Sequence, residues 1–276
     1  MTVLERAPHV MPNLADELAT VLESKMKEKG IAVNANNGVK EIISKDDNSL
    51  EVVCNDGSAL PCDLVVMSVG VLPNSELAKA AGLELGVKGC IKVDDHMQTS
   101  DPDIYAVGDA IQVKDYVTGF DTHIPLAGPA NRQGRIVADV LCGLNSYYRG
   151  SQGTSVCGMF DLCVAMTGQT RASLLRFGRP GGVTGRSKAM NPDDIGTVCV
   201  HSPNHANYYP GSTPIHLDLT FDRRTGAVLG AQAVGVQGVD KRIDVVSSYI
   251  HMKGTVTDLV QAELCYSPPV GGADEG

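Results

Sequence analysis

The stretch best equipped for chemistry is Thr99-Ser100-Asp101-Pro102-Asp103-Ile104-Tyr105-Ala106-Val107-Gly108-Asp109-Ala110. A short apolar strand over Ile104–Ala106 runs into Gly-Asp, setting a carboxylate at a strand's C-terminal end, where open α/β sheets bind ligands. Gly108 lets a ligand approach the backbone, and Asp109 can accept hydrogen bonds from a polyol. Gly-Asp alone suits a plain turn equally well; the twelve-residue pattern is the specific signal. Downstream, Pro125-Leu126-Ala127-Gly128-Pro129-Ala130-Asn131-Arg132-Gln133-Gly134-Arg135 reads as a helix start. Its unpaired N–H groups and positive dipole end can stabilise negative charge, with Leu126, Ala127 and Gly128 as the candidates. Asn131 and Arg132 fit a solvated first turn equally well.

The Thr99–Ala110 segment resembles the second FAD-binding motif of the pyridine nucleotide-disulfide oxidoreductases. The resemblance implies that Gly108 and Asp109 bind FAD, with the carboxylate on the ribityl chain. It makes Pro125–Arg135 the flavin-facing helix start and turns Asn131 and Arg132 toward a substrate disulfide. Glu5, after the strand-like Thr2–Leu4, matches the acid that holds the adenine ribose of NAD(P)H. Without the resemblance it reads as a surface charge. Arg6 suits a 2′-phosphate and Glu5 an unmodified ribose, so NADH and NADPH both stay open. Ser68-Val69-Gly70-Val71-Leu72-Pro73-Asn74 resembles the nicotinamide-side motif, with Gly70 passing the dinucleotide.

Asn207-Tyr208-Tyr209-Pro210-Gly211, Val239-Asp240-Lys241-Arg242-Ile243-Asp244 and Tyr266-Ser267-Pro268-Pro269 resemble the dimerisation domain of coenzyme A-disulfide reductases and related NADH oxidases and peroxidases. The resemblance implies a homodimer in which Tyr266 and one of Tyr208 and Tyr209 reach the partner's active site. We take Tyr209 and Tyr266 as the catalytic phenols and Tyr208 as a substrate contact. A phenol there protonates or hydrogen-bonds a departing thiolate; the competing reading of Tyr-Tyr-Pro-Gly is a turn with packed rings. The implied activity is FAD-dependent, NAD(P)H-dependent reduction of coenzyme A disulfide, with NADH oxidase or peroxidase chemistry as the alternative. The family's redox cysteine and first glycine motifs are expected upstream of residue 1. The chain is then a C-terminal portion that binds FAD weakly and does not turn over alone. A non-catalytic dimerisation or binding module is the third reading.

These residues need elements to position them. Leu14, Leu18, Leu22 and Met26 recur at i, i+4, which predicts a helix opened by Pro12-Asn13 and closed by Gly30. Strands are expected over Ile31–Asn34, Gly38–Ser44 and Leu50–Asn55, with a hairpin turn at Asn55-Asp56-Gly57. Leu64-Val65-Val66-Met67 reads as a strand covered on both faces. A helix over Glu76–Ala81, strands at Cys90–Val93 and Ile104–Ala106, and a helix over Pro129–Cys142 follow. Beyond, strands are expected at Leu162–Thr167, Gly196–His201, Ile215–Phe221 and Ala227–Val234, with a turn at Asp222–Gly226 and a helix over Val239–Met252. A Gly/Pro-rich loop spans Arg179 to Asp194. The fold class is therefore α/β with an α+β C-terminal domain. Residues 1–75 read as the end of an NAD(P)-binding domain, 76–148 as the end of an FAD-binding domain, and 149–276 as a dimerisation domain.

Composition sets the outer limits. With 276 residues, 43% hydrophobic, the chain can bury a core without disulfides. A net charge of −9 argues against a nucleic-acid partner. No apolar run is long enough to span a membrane, and no signal-peptide pattern opens the chain, so a cytoplasmic location is expected. Eight cysteines form no CxxC pair and sit at no zinc-ligand spacing, so they read as structural thiols, and no metal is expected.

Overall fold

The computed structural model describes residues 1–47, 49–177, 179–180, 187–188 and 190–271. It divides the chain into two compact units, Met1–Gly70 and Val71–Gly276.

In the first unit, β1 (Thr2–Leu4) pairs parallel with β2 (Ala32–Asn34), and α1 (Asp16–Glu28) connects them and packs on β2. The periodic apolar residues make this happen: Leu18, Leu22 and Met26 are buried on one stripe of α1. Asp16 and Glu17 at its start and Lys25 and Lys27 at its end match the helix dipole. The helix begins three residues later than Pro12-Asn13 suggests. Met11 adopts φ 51° and its carbonyl accepts from Leu14, so Pro12–Ala15 is spent on a turn. At the far end Gly30 takes the left-handed φ of 74° that stops a helix. The strands β3 (Val39–Ser44), β4 (Leu50–Cys54) and β5 (Ala59–Cys62) form an antiparallel meander. The Asn55-Asp56-Gly57 turn joins the last two, and the Asp56 carboxylate accepts from Ser58 N–H at 2.9 Å.

The expected strand at Leu64–Met67 does not form. The run is irregular, with Leu64 75% and Val66 78% exposed. Apolarity supplies a reason to be buried but no hydrogen-bond partner. No described ladder includes this segment, so its backbone has no strand pairing.

The second unit opens with α2 (Glu76–Ala80). Cys90–Val93 and Ile104–Ala106, both expected as strands, reach only single bridges, Ile91 to Leu85 and Ile111, and Tyr105 to Gln98. The apolar residues still enter a core, where Ile91, Met97, Ile111 and Ile136 are buried together. A short ladder of β6 (Val113–Lys114) and β7 (Asp121–Thr122) precedes α3 (Ala127–Leu141).

The rest of this unit is built on β8 (Ser155–Met159), β9 (Leu162–Gly168), β12 (Ile195–Pro203), β13 (Pro214–Asp222) and β14 (Val228–Gly235). They form one antiparallel sheet in the order β12-β13-β14-β9-β8. Between β9 and β12 come α4 (Arg171–Phe177) and a two-rung ladder of β10 (Arg179–Pro180) and β11 (Ser187–Lys188). Part of the Gly/Pro-rich loop, residues 181–186 and 189, lies outside the described residues. The helix α5 (Val239–His251) lays Val239, Ile243, Val246 and Ile250 on one face of β14 and β9, where they share a core with Leu229, Ala231 and Ala233. Gly168, at φ 67°, is required at the end of β9, because a side-chain carbon there would collide with the Leu229 carbonyl. Finally α6 (Val256–Val260) is fixed by a capping box in which Thr255 and Asp258 satisfy each other's backbone N–H groups.

Candidate functional site

The Gly108–Ala110 turn is clamped from two sides. Gly108 takes φ 79°, and its N–H donates to the Gln133 side-chain carbonyl at 2.8 Å. Gln133 lies on the buried face of α3 with 1% exposure. From the other side the buried His123 ring donates through Nε2 to the Asp109 carbonyl at 2.8 Å, which fixes the proton on that nitrogen. A side-chain carbon on Gly108 would sit 3.7 Å from Ala130 Cβ, so the turn rests directly on the early turns of α3. The Asp109 backbone is thereby held, while the residue itself is exposed.

The N-terminus of α3 is open. Leu126 occupies the N-cap with extended backbone and no side-chain cap, and Ala127 and Gly128 are exposed. Pro129 brings no N–H to a turn where none can be used internally. Space is free around Gly128, where an added side-chain carbon would meet nothing within 4 Å. Two backbone donors thus open the positive end of the fifteen-residue helix on which the Asp109 turn rests. Such a place suits a ligand combining hydroxyl groups with a developing negative charge. Asn131 turns its amide back to the Ala127 carbonyl at 2.9 Å, and Arg132 is exposed.

A second group lies on other elements of the same unit. The Tyr208 and Tyr266 hydroxyls are hydrogen-bonded at 3.0 Å. That bond favours the neutral phenol and raises the Tyr266 pKa above its ordinary value, with desolvation adding to the shift. Tyr209, expected with Tyr266 as a catalytic phenol, sets its ring edge-on against buried His205, centroids 5.9 Å apart. The phenol that pairs with Tyr266 is therefore Tyr208. Adjacent residues of a turn point in different directions, and the loop's anchoring decides which one faces the tail. The anchors are Arg242, which donates to the Asn204 carbonyl at 2.9 Å, and Ala206 N–H, which donates to the Pro268 carbonyl at 3.2 Å.

Glu5 and Gly70 belong to the first unit. The half-buried Glu5 carboxylate accepts from Ala7 N–H at 2.7 Å, and its backbone bonds to Asn34 and Asn37 hold the end of β1. Gly70 takes φ 106° in the irregular segment after Leu64. None of the eight cysteines is in a disulfide; burial pushes the Cys90 and Cys163 thiols up, away from the reactive thiolate. Among the described residues no three His, Cys, Asp or Glu side chains converge on a metal position.

Gln133 and His123 were not singled out from sequence. Gln133 carried a usable signal, a polar residue three before Ile136 on the helix face that faces inward; His123 carried none. An apolar groove of about 480 Å³ beside α5 and α6, lined by Val198, Val200, Leu217 and Leu259 among others, was also not foreseen.

Comparison with known proteins identifies the family. Residues 1–134 match the family model for pyridine nucleotide-disulphide oxidoreductase, and residues 155–273 match its dimerisation domain. An NADH oxidase of Methanocaldococcus jannaschii is 35% identical over 274 residues, covering 99% of this chain and 57% of that protein. A coenzyme A disulfide reductase of Staphylococcus epidermidis is 30% identical over 270 residues, 98% of this chain and 57% of the relative. The crystal structure of reduced Bacillus anthracis CoADR-RHD superposes with a TM-score of 0.89 at 42% identity, over 99% of this chain and 46% of that one. This chain thus spans about half the length of the relatives it matches. With both models describing successive parts of one family, and with a mixed α/β fold of the same kind, the chain belongs to the pyridine nucleotide-disulphide oxidoreductases.

Proposed function

We propose that this chain forms part of an FAD- and NAD(P)H-dependent disulfide reductase of the coenzyme A-disulfide reductase type, acting as a homodimer. Residues 1–75 are assigned to the NAD(P)-binding domain, 76–148 to the FAD-binding domain and 149–276 to dimerisation. The observation that carries the reading is the docking of the Gly108–Ala110 turn on α3, the helix whose N-terminal Ala127 and Gly128 are exposed and lack a side-chain cap. Bound FAD would supply the relay of electrons from the nicotinamide to a thiol or disulfide. Asp109 would accept hydrogen bonds from the ribityl hydroxyls. The α3 N–H groups and dipole would stabilise negative charge on the ring system. Glu5 would accept from ribose hydroxyls, and Gly70 would let the dinucleotide pass close to the backbone. Tyr266, kept protonated by Tyr208, would donate a hydrogen bond to the sulfur of a departing coenzyme A thiolate. Asn131 and Arg132 would border the disulfide, and Tyr209 would support the loop from beneath through His205.

A fluorescence titration with FAD tests the flavin part. Asp109→Ala removes a charged acceptor and is expected to weaken binding by about 10- to 100-fold, the equivalent of 1.5–3 kcal/mol. Equal affinity in both proteins refutes the assignment. The 35% identity to an NADH oxidase favours a second reading, in which oxygen or peroxide is the acceptor. In the whole enzyme carrying this segment, NADH consumption with oxidised coenzyme A against consumption with oxygen separates the two.

A further inference from the structure

The sheet carries a pair of groups that the redox reading does not use. His201 on β12 and His216 on β13 stand directly opposite each other across an antiparallel ladder. Their Nδ1 atoms face each other at 2.7 Å, with ring centroids 4.8 Å apart and ring planes crossing at 68°. The site is at the sheet margin, because β12 is the edge strand, and His201 is exposed. Alternation along the strands puts the pair on the face opposite Val200 and Leu217, away from the apolar groove.

From this geometry we infer that His201 and His216 form a chelating site for a borderline divalent transition-metal ion such as Zn2+. Two neutral imidazoles aimed at one point share a proton when no cation is present and offer two lone pairs when one is. Two Zn–N bonds of ~2.0–2.1 Å at a tetrahedral angle hold their nitrogens about 3.3 Å apart. From the present 2.7 Å, an opening of roughly 0.6 Å turns the hydrogen bond into a chelate. Side-chain rotation at an exposed edge strand accommodates that movement. The next rung of the same face carries Cys199 opposite Asp218, but both are engaged with other groups and are not counted as ligands. Water fills the remaining positions, which places the site among exchangeable rather than structural metal sites.

The test is isothermal titration of the chelator-treated protein with Zn2+ alone, repeated with Co2+ and read by absorption. One Zn2+ per chain is expected, weakened about tenfold or more in both His201→Ala and His216→Ala. The Co2+ spectrum should show d–d bands without thiolate charge transfer, which separates this site from adventitious binding by the cysteines. His201→Gln, which keeps a polar side chain on the edge strand, should behave like His201→Ala and guards against a folding defect. Undiminished binding in the variants, a thiolate-type cobalt spectrum, or no uptake by the parent protein each overturns the assignment. None of these readouts depends on flavin or on turnover, so the outcome stands apart from that of the redox reading.

Discussion

Gln133 offers the sharpest handle on how the Asp109 turn is held. Its carbonyl is the acceptor for Gly108 N–H, and the side chain is 1% exposed on the inner face of α3. Gln133→Leu keeps the volume close and removes the acceptor. The lost bond and the stranded, partly buried N–H together cost about 1–3 kcal/mol. For a cooperative unit of this size, that range corresponds to roughly 2–4 °C in Tm per kcal/mol. A midpoint lowered by several degrees is therefore expected. The functional consequence should exceed a generic loss of stability. Releasing Gly108 removes one side of the clamp on the Asp109 turn, so FAD affinity should fall even far below the melting transition. Differential scanning calorimetry and a flavin titration at 25 °C measure the two effects. If Gln133→Leu melts with the parent and binds FAD equally, the clamp has no energetic role and the reasoning fails.

Three further outcomes follow from the geometry. Removing the Tyr208 hydroxyl with Tyr208→Phe should let the Tyr266 pKa fall back toward the ordinary phenol value, seen as an earlier phenolate transition in an absorbance titration referenced to Tyr266→Phe. His216 has a folded pKa below its unfolded one, so the stability it contributes is present above about pH 6.5 and is lost as pH falls through the folded value. Urea midpoints should drop on acidification in that window, with a shallower slope in His216→Gln. Ile243→Ala empties a site that is 1% exposed between α5 and the sheet and should cost about 2–5 kcal/mol in chemical denaturation, a value near zero excluding the packing described.

How far the sequence could be read depended on what each element relies on. The helices α1 and α5 and the strands β12–β14 carry their own periodicity and turn residues, so they were recognisable within a few positions. The Asp109 turn and the start of α3 were legible for the same reason: a glycine, an acid and a proline-bearing N-terminus are local signals. Leu64–Met67 and Cys90–Val93 were misread because strand formation requires a neighbour, and neighbours are not a property of the segment. That Tyr208 rather than Tyr209 meets the Tyr266 hydroxyl could not be read from sequence, because direction is set by Arg242 and Pro268 gripping the loop from distant positions. His201 and His216 became a pair only once the register of β12 against β13 was known, fifteen residues apart in the chain.

The irregular segment around Leu64–Val69 has a practical consequence unrelated to redox chemistry. Leu64, Val66, Met67 and Val69 are all more than half exposed, and from Leu64 to Val69 the chain contains neither a charge nor a proline. A bare, β-prone ribbon of this kind is a template onto which other chains can add strand by strand. The concentration at which the purified protein stays clear will be governed by these six residues, and a single lysine placed among them should raise that ceiling more than any change near Asp109.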